Sequence, residues 1–321
     1  MRPISASVAL ALLIMTGAAR AEMTDEEELA LSYGDKTMVS ITTGVAQPIS
    51  RAPAVATVIT AEDIENIGAT DLDEVLETVP GLHVSHSTLG YAPIYTIRGI
   101  ASQYNPQVLM LTNGIPMTSV AIGDRGTVWG GLPLENIARI EIIRGPGSAL
   151  YGADAFSGVI NIVTKTAANI DGSQAGVRLG SFATRDAWLL HGGELGGMQL
   201  AAHLRIGRTD GAKEIVSRDA QSNLDAAFGT HASYAPGRIY LGHEAIDGGL
   251  DLSRDNWRFR IALKHRDKVE NATGIAQALD PIGRNFSQQV TSDLTWQDRN
   301  FAKGLDLTLQ ASYYYLNEKS D

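Results

Sequence analysis

Cysteine is absent from all 321 residues. An exported chain of this kind has no disulfides and must be held together by core burial or sheet closure. Lipid anchoring through an N-terminal cysteine is excluded too. Apart from eight residues near the start, no long apolar run occurs, and a transmembrane helix needs about 20 such residues. Only helices and closed barrels span a bilayer, so membrane insertion of this chain would require a barrel. Positive charge is also in short supply. Lys and Arg number 26 against 36 Asp and Glu, for a net −10, which is a poor composition for binding nucleic acid.

The marks of an enzyme are missing as well. There is no G-x-S-x-G elbow. Gly145-Pro146-Gly147-Ser148-Ala149-Leu150 lacks both the third glycine of a dinucleotide fingerprint and the Gly-Lys-Ser/Thr of a phosphate loop. His83 and His86 stand three apart on a strand-like segment, which points them to opposite faces, and no further ligands accompany them. No residues assemble a nucleophile, a base and oxyanion donors. Neither catalysis, nor a cofactor, nor a bound metal is expected.

What is present begins with an export signal. Arg2 precedes the apolar Val8–Met15, and Ala19-Arg20-Ala21 offers an A-x-A cleavage site. Residues 1–21 read as a secretory signal peptide with the mature chain starting at Glu22. Losing Arg2 and Arg20 leaves 24 basic against 36 acidic residues, net −12. Residues 22–52 form a polar leader containing Asp25-Glu26-Glu27-Glu28. Within it, Thr37-Met38-Val39-Ser40-Ile41-Thr42 is β-prone and can add as a strand to a partner's sheet edge; a plain linker is the other reading.

Residues 53–168 carry mixed α/β signals. Thr60-Ala61-Glu62-Asp63 has capping-box spacing and opens a helix ending near Gly68. Thr70-Asp71-Leu72-Asp73 repeats the spacing and opens a second, with Leu72, Val75, Leu76 and Val79 on one face, stopped by Pro80-Gly81. Strands are expected at 82–85, 95–100, 108–112, 138–144 and 158–164, with Asn113-Gly114 as a two-residue hairpin turn. Gly145 and Pro146 must stop a strand sharply, and Gly152 and Gly158 are read as points of close backbone approach.

After Asp171 helical signals give way to seven alternating segments: 175–182, 185–193, 198–208, 246–253, 257–266, 287–296 and 305–316. In Met198–Arg208, Leu200, Ala202, Leu204 and Ile206 share one face, and Gln199, His203 and Arg205 the other. Such segments in series, joined by alternately short and long links, are the signature of a barrel wall with tight periplasmic turns and long external loops. Trp188, Trp257, Trp296 and Tyr313–Tyr315 are candidates for interfacial girdles. A soluble β-sandwich explains the alternation, but not a 37-residue link beside turns of two to four residues.

Six stretches in fixed order resemble the plug domain of TonB-dependent outer-membrane receptors: Ala52–Ile64, Val79–Val84, Ile97-Arg98-Gly99, Val108–Pro116, Ile137–Gly152 and Gly158–Thr164. The resemblance implies an α/β plug followed by antiparallel transmembrane strands, here residues 173–321 of an incomplete barrel of the 22-stranded type. It implies import of a bulky, scarce ligand, a ferric siderophore above all, with iron carried inside its chelator. The partners implied are TonB, outer-membrane lipid and that chelate. The leader and plug would face the periplasm. A TonB box is sought at Thr37, Met38, Val39, Ser40 and Ile41. Arg98 and Arg144, with Glu141 nearby, would latch plug to barrel wall through wall carboxylates. Ligand contact is assigned to plug loops through Tyr91, Gln103, Tyr104 and Asn105. The leader is too short for an extra signalling domain. Seven strands cannot enclose such a plug, so the chain reads as a fragment or a truncated product. A soluble periplasmic module of plug and small sheet, and a non-importing stoppered barrel, are the competing classes.

Overall fold

The computed structural model describes residues 55–86, 93–102, 105–117, 132–146, 151–274, 277–303 and 305–320, together with the backbone of 38–39 and 47–48. Two strands of two residues, β1 (Met38–Val39) and β2 (Gln47–Pro48), pair antiparallel in the leader.

The plug is built on a five-stranded sheet. Its strands are β3 (Ala56–Thr60), β6 (Val108–Thr112), β7 (Ile115–Pro116), β8 (Ile137–Arg144) and β9 (Gly158–Thr164), in the order β3-β8-β9-β6-β7. Only β6 and β9 run parallel. Side chains alternate across β8. Ile140 and Ile142 enter a core with Leu72, Val75, Leu76 and Tyr95, while Ile143 joins Leu109, Leu111 and Val159 on the opposite face. A sheet buried on both faces explains why β6, β8 and β9 read as near-continuous apolar runs. A separate hairpin pairs β4 (Leu82–His86) with β5 (Pro93–Ile97).

Helix α1 (Ala61–Ile67) opens at the expected capping box. Asp63 N donates to Thr60 Oγ1 at 3.2 Å and Thr60 N to Asp63 Oδ2 at 2.9 Å, and Gly68 closes the helix in the left-handed region. Helix α2 (Leu72–Glu77) departs from the expected start by one residue. Asp71 is the N-cap, accepting from Asp73 N at 2.9 Å, and Thr70 instead gives its amide to Glu74 Oε2 at 2.7 Å. Asx geometry over two residues suits a short helix better than the threonine box. Asn113 and Gly114 both take positive φ, 52° and 81°, and join β6 to β7 in a two-residue turn.

The seven alternating segments form one antiparallel sheet of sequential neighbours among the described residues. They are β10 (Ser173–Leu179), β11 (Arg185–Leu195), β12 (Met198–Thr209), β15 (His243–Arg254), β16 (Trp257–Glu270), β17 (Arg284–Ala302) and β18 (Leu305–Ser320). Most are longer than the sequence pattern marks, because alternation weakens where strands leave the apolar zone. Leu204, Ile206, Leu250 and Trp257 lie exposed on one face, while Arg205, Asp247, Lys264 and Asp293 are buried on the other, against the plug.

Two expectations need correction here. Helical structure does not end at Asp171: the long link after β12 holds α3 (Ala220–Phe228), between the short pair β13 (Ile215–Val216) and β14 (Gly237–Arg238). Asp219 caps α3 and Gly229 terminates it, signals overshadowed by the strand pattern around them. Trp188 is not a girdle residue. It shares its face with buried Asp186 and Leu190, under the Arg178 guanidinium at 5.2 Å. Trp257 and Trp296 are cross-strand neighbours on the outward face.

Candidate functional site

The plug meets the wall along a polar seam whose origin is the strand register. Arg178 lies opposite Asp186, and Asp186 opposite Gly207. With no side chain at Gly207, where a Cβ would fall 2.1 Å from Asp186 Oδ1, the carboxylate can reach across to Arg205. The resulting ion pairs run without a break from plug to wall. Glu135, in the 3-10 turn Leu134–Asn136 before β8, accepts from Arg178 Nη2 at 2.5 Å. Arg178 Nη1 lies 3.3 Å from Asp186, and Asp186 takes Arg205 Nη2 at 3.0 Å. Arg205 Nη1 stands 3.6 Å from Asp247, which accepts from Arg266 Nη1 at 3.0 Å. Arg260 grips Asp293 bidentately at 2.8 and 2.9 Å on the same face. Buried charges are tolerated only when paired in this way.

Other contacts complete the seam. Gln289 Nε2 donates to Met117 Sδ at 2.9 Å, and Tyr314 and Leu316 of β18 pack on the plug core. Asp71 of the plug senses Lys264 and Arg205 of the wall. Burial and the neighbouring Asp73 carboxylate push Asp71 up to about 6, against the pull of the Asp73 amide and the two cations. Between the Asn113–Gly114 hairpin and the wall lie voids of about 50 and about 80 Å³, bordered by Asn113, Asn136 and Thr164 on one side and His203, Arg260 and Thr291 on the other.

The latch residues named from the sequence have these surroundings among the described residues. Arg144 donates to the Pro80 carbonyl and, at 3.3 Å, to Thr57 Oγ1, all within the plug. Glu141 is fully buried in β8 and bound to Arg139 Nη2 at 2.8 Å. Arg98 is exposed, has φ 54° and lies beside Gly145. Among the described residues, neither Arg98 nor Arg144 forms an ion pair with β10–β18. The reason is register: β8 turns Arg144 toward the α2–β4 corner and not toward β10–β18. The pairs that do cross the seam escape sequence reading because alternation marks which charges face inward but not which of them meet.

Gly145 and Gly152 take φ of 138° and 78°, with Pro146 following the first. Gly158 is the point of closest approach. A Cβ there would lie 2.4 Å from the Ile143 carbonyl and 2.6 Å from Ile97 Cδ1. Asn105 is 1% exposed, and its amide oxygen takes Gln107 Nε2 at 3.2 Å. Its backbone takes a positive φ of 51°. Tyr91, Gln103 and Tyr104 lie outside the described residues. Of the TonB-box candidate, Met38 and Val39 form β1, and Thr37, Ser40 and Ile41 lie outside the described residues. No group of three or more metal-ligating side chains occurs among the described residues.

Comparisons with known proteins agree with this architecture. Residues 48–159 match the family model for the TonB-dependent receptor plug domain. The chain is 39% identical over 142 residues to the vitamin B12 transporter BtuB of Vibrio vulnificus, an overlap of 44% of this chain and 22% of that protein. It is 39% identical over 168 residues to an iron-regulated outer membrane virulence protein of Vibrio cholerae, covering 51% of this chain and 24% of that one. Less than a quarter of each relative's length is therefore aligned. Among solved structures, BauA, the ferric preacinetobactin receptor of Acinetobacter baumannii, superposes with a TM-score of 0.60 at 21% identity, over 88% of this chain and 40% of that one. Residues 48–159 are thus similar to a TonB-dependent receptor plug domain, and the plug sheet with its adjoining antiparallel wall has the fold of the receptor it superposes on.

Proposed function

We propose that the chain is part of an outer-membrane importer of a bulky metal chelate, a ferric siderophore, in which displacement of the plug opens the path. The observation that carries this reading is the seam. Its polar contacts are a run of ion pairs, whose groups water can resolvate when the surfaces part, whereas an apolar interface resists separation in proportion to its area. The outward face, with exposed Leu204, Ile206, Leu250 and Tyr313, suits lipid. In this reading the leader and plug face the periplasm, with TonB engaging residues 37–41 and pulling. Arg98, the exposed member of the expected latch, stays available to a barrel carboxylate. Tyr91, Gln103 and Tyr104 contact the ligand.

Identity to a B12 transporter favours cobalamin as a second reading. One experiment separates the two. The chain's gene is returned to a Gram-negative strain lacking it, with and without TonB, and uptake of radio-iron as a ferric siderophore is competed with cobalamin. TonB-dependent iron uptake that is lost on deleting residues 37–43 and untouched by cobalamin supports the proposal. Uptake of cobalamin alone overturns the ligand, and uptake indifferent to TonB overturns the mechanism.

A further inference from the structure

The outward face of the wall carries a feature that import does not use. This inference rests on the membrane reading above, which supplies a height scale. Trp257 stands beside Trp296 at the short-turn end of the sheet, and Asp267 follows ten positions later on β16. At about 3.3 Å per residue and a tilt of about 40°, these levels lie roughly 25 Å apart, the height of the apolar band of an outer-membrane barrel. Asp267 therefore marks the external headgroup level.

At that level the register sets Arg185 directly opposite Arg208, followed by Glu244 and Asp267 in the same cross-strand row. Both arginines are exposed. Like charges directly opposed on neighbouring strands destabilise a sheet; Asp210 faces both arginines electrostatically and Glu244 faces Arg208, but each of these acids is shared with a lysine. Asp210, 3.9 Å from Arg208, is held by Lys213 at 2.9 Å, and Glu244 is held by Lys268 at 2.8 Å. Among the described residues Arg185 makes no ion pair. One row toward the membrane interior, Val177, Ala187, Ile206 and Ile246 line a groove of about 640 Å³, with Leu179 at its margin. Val177 and Leu179 are 76% and 80% exposed.

We propose that Arg185 and Arg208 clamp the phosphate of an outer-leaflet lipid whose acyl chain lies in this groove. Two guanidiniums side by side match a phosphate's oxygens with paired, charge-assisted hydrogen bonds. The anion removes their mutual repulsion, and the small Ala187 leaves room for the chain.

The test uses the full chain recovered from the outer-membrane fraction in a mild non-ionic detergent. Short-chain phosphatidic acid, phosphatidylcholine of equal chain length and inorganic phosphate are titrated in turn, and the thermal unfolding midpoint is read. Phosphatidic acid should raise the midpoint and the other two should not. The R185Q/R208Q double variant should need about tenfold more or above for the same rise. Ala187→Phe, which fills the groove and spares both arginines, should weaken the response as well. An equal response in both variants, or an equal response to phosphatidylcholine or to inorganic phosphate, overturns the lipid site alone. Absence of the chain from the outer-membrane fraction overturns the membrane reading, and the lipid site with it.

Discussion

Replacing Arg178 by methionine cuts the ion-pair chain where plug meets wall. Glu135 loses the guanidinium 2.5 Å away, its Oε2 already being buried without a hydrogen bond, while Asp186 keeps Arg205 at 3.0 Å. Removing one partner of a fully buried pair costs about 3–5 kcal/mol. Arg178 is 24% exposed and Glu135 14%, so water recovers part of that, and about 2 kcal/mol is expected. Each 1.4 kcal/mol is tenfold, which makes the plug open about thirtyfold more often. Hydrogen exchange of the plug amides around β8, measured by mass spectrometry on the full chain in detergent, reads this opening directly. Adding Glu135→Gln to the methionine variant should restore most of the loss, with a coupling of about 1 kcal/mol or more in the double-mutant cycle. Exchange within about twofold of the parent would refute the seam as a fastening and reduce Glu135–Arg178 to an ordinary surface pair.

Gly158→Ala should destabilise the plug by about 1–3 kcal/mol in urea unfolding, because the new methyl collides with a backbone carbonyl as well as with Ile97. Asp219→Ala should free the links after β12 and β16 from each other, since Asp219 receives Leu279 N at 2.7 Å, Ser222 N at 2.7 Å and Ser233 Oγ at 2.7 Å; faster exchange at Leu279 reports it. Burial pushes the Asp219 carboxyl up, but these donors outweigh it and bring it down to about 2. The tie is therefore complete above about pH 4, the ordinary carboxylate value, and is lost as pH falls through about 2, where wild type and variant should converge. Asp71, raised to about 6, behaves oppositely. Its contribution is full below about pH 4 and declines as pH rises through 6, so Asp71→Asn should gain on the parent between those values in pH-dependent urea midpoints.

Local chemistry made much of this fold legible. The Thr60 capping box, the Asn113-Gly114 turn, the doubly buried run of β9 and the period-two alternation of β12 and β16 each act within a few residues, and each is found where the pattern placed it. Helix α3 shows the limit of reading by dominant period. Its cap and terminator stand at Asp219 and Gly229, yet nine residues without a buried side chain leave no apolar stripe to notice. The seam was only half legible. Alternation turns Arg205 inward, but that Asp186 reaches it depends on Gly207 standing opposite, a consequence of turn lengths summed over two hairpins. Asn105 and Glu141 share one feature that the sequence pattern does not show: both are buried. Polarity in a loop or strand signals a demand for partners, met in part by Gln107 for Asn105 and by Arg139 for Glu141.

The ion-pair chain is unequal between the two units it joins. Its wall members are Arg178, Asp186, Arg205, Asp247 and Arg266, three cations and two anions, with Glu135 on the plug supplying the last negative charge. Were the plug to withdraw, it would carry that carboxylate away, and Asp71 from beside Lys264 with it. On the function proposed above, parting the two units would leave this run of wall charges with one uncompensated cation, which favours an anionic solute on the bared strands.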